Sequence, residues 1–398
     1  MLTGIALILL VGMFLGFLAR KIKLPALVGM ILAGILLGPS VLGILDPSLL
    51  EISPVLRKIA LVIILTRAGL SLDIKELKKA GRPSLLMCFV PAALEISGTT
   101  LVAPLLFNIS HLEAAVIGSI LAAVSPAVVV PRMIGLINEK RGTDKQIPQI
   151  ILAGASADDV FAIVMFTSLT GVLSGGSLAA TDFIQIPTSI LLGIACGVLS
   201  GVLLALFFTK VHIRDTAKVI ILMSVSFLLT ALEDASQSYV RISGLIAIMA
   251  AGMAILYRKP ELSKRLSAKY NKLWVCAEIA LFALVGAETR IETLANCAMP
   301  MLVVLLCAMA CRMAGVFLCL IGTRLNLRER LFCMLAYTPK ATVQAAIGAI
   351  PLSMGLSCGE LALAAAVIAI IITAPFGAFM IDTTAKRLLK AEQRGLYE

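Results

Sequence analysis

Charge is what this sequence most conspicuously lacks: Asp, Glu, Lys and Arg make up 14% of its 398 residues, where a water-exposed surface normally needs about a quarter. A soluble globular domain is thereby excluded. There are two histidines and one tryptophan, and nine cysteines without a C-x-x-C pair. His111 and His212 fall just outside apolar runs, so neither is expected to be a deep proton relay. The cysteines lie mostly within apolar runs and read as buried thiols rather than a disulfide or metal framework. No long polar segment leaves room for a separate catalytic or nucleic-acid-binding module, so no enzyme, no cofactor and no nucleic-acid partner is expected.

What is present is hydrophobic: 60% of the residues, with a mean hydropathy of +1.03. Thirteen apolar runs can be counted, near 2–19, 25–44, 53–72, 83–107, 112–136, 148–173, 184–209, 216–232, 239–257, 272–288, 297–322, 328–351 and 358–381. Each approaches the roughly 20 residues that an α-helix needs to cross a bilayer, so the fold class is all-α and polytopic in the membrane. The first run meets Arg20-Lys21-Ile22-Lys23 without a small-residue cleavage site and is expected to be retained.

The formal net charge is +11, and the basic residues are unevenly placed. Of 34 Lys and Arg, 27 fall between or at the ends of runs on one side, Arg57, Lys58, Arg241 and Arg290 do so on the other, and Arg67, Arg312 and Lys340 fall deeper inside runs. Positive charge accumulates in cytoplasmic loops, so the N-terminus is expected outside and the C-terminus in the cytoplasm. The location expected is a bacterial inner membrane.

The stretch ASADDVFAIVMF sets Asp158 beside Asp159 within the sixth run. A charge at the bilayer centre costs about 2.5 to 3.5 kcal/mol on insertion scales, so intramembrane acids call for a function. Mutual repulsion and desolvation let such a pair exchange a proton for a cation. Adjacent helical positions point about 100° apart. One acid is therefore expected to face an ion cavity and the other to partner a base or a backbone group.

Two runs carry mid-membrane prolines: LAAVSPAVVV with Ser125-Pro126, and MLAYTPKATV with Thr338-Pro339 and Lys340 beside it. Proline removes a backbone donor and disfavours helix in the residue before it, so each run is predicted to break. The two segments superimpose about the S/T-P step and lie seven runs apart, hence in opposite orientation, the pattern of an inverted repeat with paired discontinuous helices. Glu95 precedes the first break by one run and Arg312 precedes the second. Glu95, Ser125, Asp158, Arg312 and Lys340 are all 10 to 13 residues from their run ends, near one depth. Lys340 is expected to neutralise freed carbonyls, and the Ser125 and Thr338 hydroxyls to supply oxygens to a hard cation held mainly by Asp158 and Asp159. Arg67 either snorkels to the interface or lines a cytoplasmic funnel, and Glu278 either pairs with Arg67 or senses pH at that entrance.

ASADDV, VSPAVVVP, YTPKATVQAAIG, GMILAGILLGPSVLG and LTRAGLSLD together resemble the cation/proton antiporter superfamily, and within it the NHA-type sodium/proton antiporters, relatives of NapA and NhaA. The resemblance spans essentially the whole chain. It implies an NhaA-like fold of about 13 helices with two crossing discontinuous helices, and a homodimer. It also implies a core domain (83–173 and 297–381) moving as an elevator against a dimerisation scaffold (parts of 1–72 and 184–288). By the same resemblance Asp159 is the principal Na⁺ or Li⁺ and H⁺ carrier, supported by Asp158. Arg312 stands where electrogenic relatives have a Lys that bridges the first Asp, and Glu95 stands where NHA proteins carry a partner acid; electroneutral and electrogenic exchange both stay open. The activity implied is Na⁺(Li⁺)/H⁺ antiport in pH homeostasis, with a K⁺/H⁺ antiporter or an organic-solute symporter of the same fold as alternatives. An aspartyl protease needs its acids on facing helices, and a channel needs a filter sequence; neither pattern is here.

Overall fold

The computed structural model describes residues 1–72, 81–174, 180–236 and 242–390. Lys75, Lys78, Lys79, Arg241 and Arg394, which entered the charge count above, lie outside the described residues. The helices in order are α1 (Leu2–Lys21), α2 (Ala26–Leu37), α3 (Pro47–Glu51), α4 (Ser53–Ser71), α5 (Gly81–Met87), α6 (Val90–Leu106), α7 (His111–Leu121), α8 (Pro126–Asn138) and α9 (Ile147–Ser174). The second half comprises α10 (Ala180–Lys210), α11 (Asp215–Ser236), α12 (Gly244–Arg258), α13 (Pro260–Glu288), α14 (Ile291–Cys319), α15 (Leu327–Ala336), α16 (Thr342–Ile347), α17 (Ile350–Ser353) and α18 (Gly359–Leu388).

Nine of these helices or consecutive helix pairs, among the described residues, are long and apolar enough to cross a membrane. Ala26–Leu37, Gly244–Arg258 and Thr342–Ser353 are shorter apolar helices, and α4 with its three basic residues completes the thirteen expected spans. Two details differ from the loop placement read from the sequence. Lys264, Arg265, Lys269 and Lys272 ride on α13, which begins at Pro260 rather than near 272; proline suits a first helical turn because its missing N–H is unused there. Arg57 lies inside α4, buried, with its guanidinium 2.9 Å from Glu288 of α13.

The helices pack as two sets. α1, α2, α4 and α10 to α13 pack chiefly on one another, and α5 to α9 with α14 to α18 do likewise. In the first set close approach is set by small residues. A Cβ on Gly197 of α10 would stand 2.2 Å from the Ala247 carbonyl oxygen of α12, and one on Gly201 2.4 Å from that of Ala251. Lipid tails give helices no hydrophobic drive to associate, so backbone-to-backbone packing over a glycine stripe substitutes for it.

The second set contains the broken helices. α7 stops at Leu121 and α8 restarts at Pro126; α15 stops at Ala336 and α16 restarts at Thr342. A third break, at Cys88–Phe89 between α5 and α6, was not anticipated. All three have one cause. A proline ring clashes with the carbonyl four residues earlier and leaves that oxygen unpaired. Pro126, Pro339 and Pro91 thus free the carbonyls of Ala122, Leu335 and Met87, and each is taken by a side chain: Arg312, the Thr338 hydroxyl and the Tyr337 hydroxyl respectively.

Candidate ion site

The two major breaks touch. Ser125, held extended before Pro126, donates its backbone N–H to the Pro339 carbonyl at 2.8 Å. The end of α7 accordingly faces the unwound segment between α15 and α16.

The last carbonyls of a helix have no partner within it and carry its partial negative charge. Here the last two of α7, Ile120 and Leu121, and the next two, Ala122 and Ala123, are met by side chains. Lys340 donates its ammonium to Leu121 at 2.5 Å, Arg312 donates to Ala122, and the Gln344 amide nitrogen donates to Ala123 at 2.9 Å and Ile120 at 3.1 Å. Gln344 was not singled out in the sequence. The available signal was a polar side chain inside an otherwise apolar turn, just after the break, on the first turn of α16.

Arg312 is fully buried and spends its donors on four groups. Nε bonds the Tyr337 carbonyl at 2.7 Å, Nη1 bonds Glu95 at 2.8 Å as well as Ala122, and Nη2 bonds Asp158 Oδ2 at 2.6 Å. Lys340 Nζ stands 2.6 Å from the other Glu95 oxygen, an ionic contact off the hydrogen-bonding direction. Its own backbone N–H is held by the Thr373 hydroxyl of α18 at 2.9 Å, another residue the sequence did not reveal. The planar fork of an arginine suits this bridging of separate acceptors; a lysine ammonium would reach fewer of them.

The two aspartates have unlike surroundings. Asp158 is fully buried and takes the Val124 backbone N–H at 2.8 Å on the same oxygen that meets Arg312. Asp159 is 9% exposed, where Glu95, Asp158, Arg312, Thr338 and Lys340 are 0% and Ser125 is 1%. One carboxyl oxygen of each aspartate is buried without a hydrogen-bond partner, and so is the Ser125 hydroxyl. The Thr338 hydroxyl already donates to Leu335 at 2.8 Å, leaving only its lone pairs. In formal charge, Arg312 and Lys340 balance Glu95 and Asp158. Asp159 is left over.

Arg67 and Glu278 belong to the first helix set, on α4 and α13. Each is within electrostatic reach of the other, and Glu278 also of Arg20 on α1.

Two broken helices that touch at their breaks, with a buried aspartate pair beside them, are matched by what the chain resembles. The model of the family "Sodium/hydrogen exchanger, transmembrane" covers residues 5–387. The chain belongs to the sodium/hydrogen exchanger family. Among relatives of this exchanger, sodium/hydrogen exchanger 9B2 of Xenopus tropicalis is 32% identical over the whole chain and 77% of its own length. The human protein of that name is 31% identical over 92% of the chain and 70% of its own length. Among solved structures, the sodium proton antiporter MjNhaP1 from Methanocaldococcus jannaschii at pH 8 superimposes with a TM-score of 0.84, covering 96% of this exchanger and 97% of the other chain. Sequence identity there is 21%, so that likeness concerns the fold alone.

Proposed function

We propose that this exchanger carries Na⁺ or Li⁺ out against H⁺, one ion for one, with Asp159 as the group that holds either. The observation behind this reading is the charge balance at the crossover. Four buried charges neutralise one another, and Asp159 is the carboxylate beside them with no counter-charge of its own. A buried lone carboxylate is costly. A proton removes that cost, and so does a small desolvated cation. The two therefore compete, and binding one expels the other.

For the cation, hard oxygen ligands are needed. The free oxygens of Asp158 and Asp159, the Ser125 hydroxyl and the Thr338 lone pairs supply that chemistry. Asp158 keeps its charge against Arg312 throughout, because an arginine does not release its proton. One titrating carboxylate then exchanges one charge for one charge, and transport is electroneutral.

Access alternates, in this proposal, by an elevator movement of α5 to α9 and α14 to α18 against α1, α2, α4 and α10 to α13. The latter set forms the homodimer, and the basic loops lie in the cytoplasm. Arg67 and Glu278 then sit on the stationary side as a paired lining of the cytoplasmic funnel.

The deciding experiment is transport by protein reconstituted in liposomes. Asp159→Asn is expected to abolish Na⁺- and Li⁺-driven proton movement, and retained exchange would overturn the carrier assignment. Clamping the membrane potential should leave the wild-type rate unchanged. A potential-dependent rate rejects one-for-one exchange, and exchange driven best by K⁺ favours the potassium alternative. Raising proton concentration should raise the Na⁺ KM without lowering the maximal rate at saturating Na⁺.

A further inference from the structure

Tyr337 brings no charge to the buried ion pairs, yet its carbonyl, its ring and its hydroxyl are all engaged beside them. It is the residue at which α15 ends, and it is fully buried. Its carbonyl takes Arg312 Nε at 2.7 Å, and the guanidinium lies over its ring, with Cζ 5.1 Å from the ring centre. A cation at that distance is drawn to an aromatic face, most strongly where water is excluded. Its hydroxyl donates to the Met87 carbonyl at 3.2 Å, at the third break.

The far end of the phenol is wedged as well as bonded. A methyl group built on Gly154 of α9 would overlap the Tyr337 hydroxyl oxygen and stand 2.9 Å from Met87 Cβ. The missing side chain at Gly154 is therefore the slot that admits the phenol. Gly154 lies four residues before Asp158, on the same face of α9. One rigid ring thus spans from the helix that carries the aspartates to the guanidinium that pairs with one of them.

The pairing itself is unusual for an arginine. Guanidinium and carboxylate favour a fork-on-fork contact, two N–H groups on two oxygens. Here Nη2 meets Asp158 Oδ2 alone, and Oδ1 is buried with no partner. Closing the fork onto Oδ1 requires the guanidinium to turn, which pulls Nε off the Tyr337 carbonyl, draws Nη1 from Glu95 and Ala122, and slides Cζ off the ring. We propose that Tyr337 is a positioning residue for the transported cation: by holding the Arg312 guanidinium on one oxygen of Asp158, its ring keeps the other oxygen free as a ligand. This role rests on the reading above that Asp158 lends an oxygen to the ion. The hydroxyl and the ring then have separate duties. The hydroxyl secures the third break, and the ring sets the fork.

Two readouts on the full chain test this: the Na⁺-dependent rise in melting temperature in neutral detergent, which needs no transport, and the Na⁺ KM in liposomes. Y337F keeps the ring and loses the bond to Met87. It should melt lower without Na⁺ while its half-saturating Na⁺ stays within about two-fold of wild type. Y337L loses the ring, and its half-saturating Na⁺ and KM should rise about ten-fold, with the maximal rate at saturating Na⁺ changed far less, the split that marks lost ground-state binding. If Y337L does not fold, G154A gives the same reading from the other end, because the added methyl displaces the phenol. G154A should raise the KM about three-fold or more, and G154A/Y337F, which removes the overlapped oxygen, should bring it back toward wild type. Unchanged Na⁺ affinity in Y337L, or in G154A where Y337L fails to fold, overturns the proposal. So does a Y337F as impaired in Na⁺ affinity as Y337L, which would place the effect in the hydroxyl. Asp159→Asn, measured alongside, should lose the Na⁺ response altogether. Its retention there sinks the carrier assignment, whereas its loss there beside an unaffected Y337L sinks the positioning role alone.

Discussion

The two mid-membrane breaks are related by the inverted repeat in shape, yet they differ in charge. The first, residues 122–125, brings no ionisable side chain of its own and presents the carbonyl end of α7. The second, residues 337–341, brings Lys340 and is followed by Gln344, and both reach across to the first. Arg312 straddles the two, on the Ala122 carbonyl of one and the Tyr337 carbonyl of the other. Repetition of the chain therefore yields the geometry, and divergence between the copies yields the neutralisation. One break is the electrostatic client of the other.

That asymmetry can be broken most severely at Arg312. Removing one partner of a buried ion pair costs roughly 3 to 5 kcal/mol, and Arg312→Ala takes the paired cation from Asp158, one of two from Glu95, and the donor from two carbonyls. A large drop in melting temperature in detergent is expected, with Arg312→Lys recovering only part of it. Ion preference in any residual exchange should change less than stability does. An unaltered melting temperature would contradict the bridging role.

Lys340→Ala is expected next. It leaves Leu121 with only the long 3.4 Å bond from Gln344, and Glu95 with a single cation. Gln344→Leu follows at about 1 to 3 kcal/mol for the carbonyls of Ala123 and Ile120. If the dependence is one-sided, no uncharged substitution at Val124 or Ala122 side chains should match either loss.

Ser125 and Thr338, the matched hydroxyls of the two breaks, sharpen the comparison at smaller scale. Ser125→Ala removes an oxygen that has no partner in the fold. It is expected to leave stability unchanged and to raise the Na⁺ KM several-fold. Thr338→Ala removes the bond to Leu335 and should lower stability by about 1 kcal/mol. Equal behaviour of the two in melting and transport would show the hydroxyls to be equivalent.

The smallest effect lies outside the membrane, at Asp46, which caps α3 through the Ser48 hydroxyl and amide and meets the terminal ammonium. The Ser48 bonds hold its carboxyl at about 2, below the ordinary value of 3.8. A lowered carboxyl stabilises above its unfolded value and loses that contribution as pH falls toward 2. The difference between wild type and Asp46→Asn in unfolding should thus be barely resolvable at pH 5 and absent below pH 2.

The sequence made the spans legible because apolar length is imposed by the bilayer, and it made two breaks legible because S/T-P at mid-span has a steric consequence. The break at Cys88–Phe89 escaped because Pro91 sits in the turn after it, where proline ordinarily just begins a helix. Glu95 and Arg312 could be placed at one depth, but depth along a span says nothing of direction around it. The bond from Arg312 to Asp158, the contact of Lys340 with Glu95 and the reach of Gln344 depend on rotations that periodicity does not determine. Arg57 was assigned to a loop for the same reason a charge always is, and only its partner Glu288, 231 positions away, makes its burial intelligible.

The hydrogen bond from Ser125 to Pro339 has a kinetic corollary. Its donor and acceptor belong to opposite copies of the repeat, and the guanidinium, ammonium and amide around it stitch the same seam. Parting the two copies at this seam would strip four donors and five carbonyls of their partners at one stroke, a cost that every turnover would have to meet again. Whatever carries an ion from one aqueous face to the other has to do so with this knot still tied.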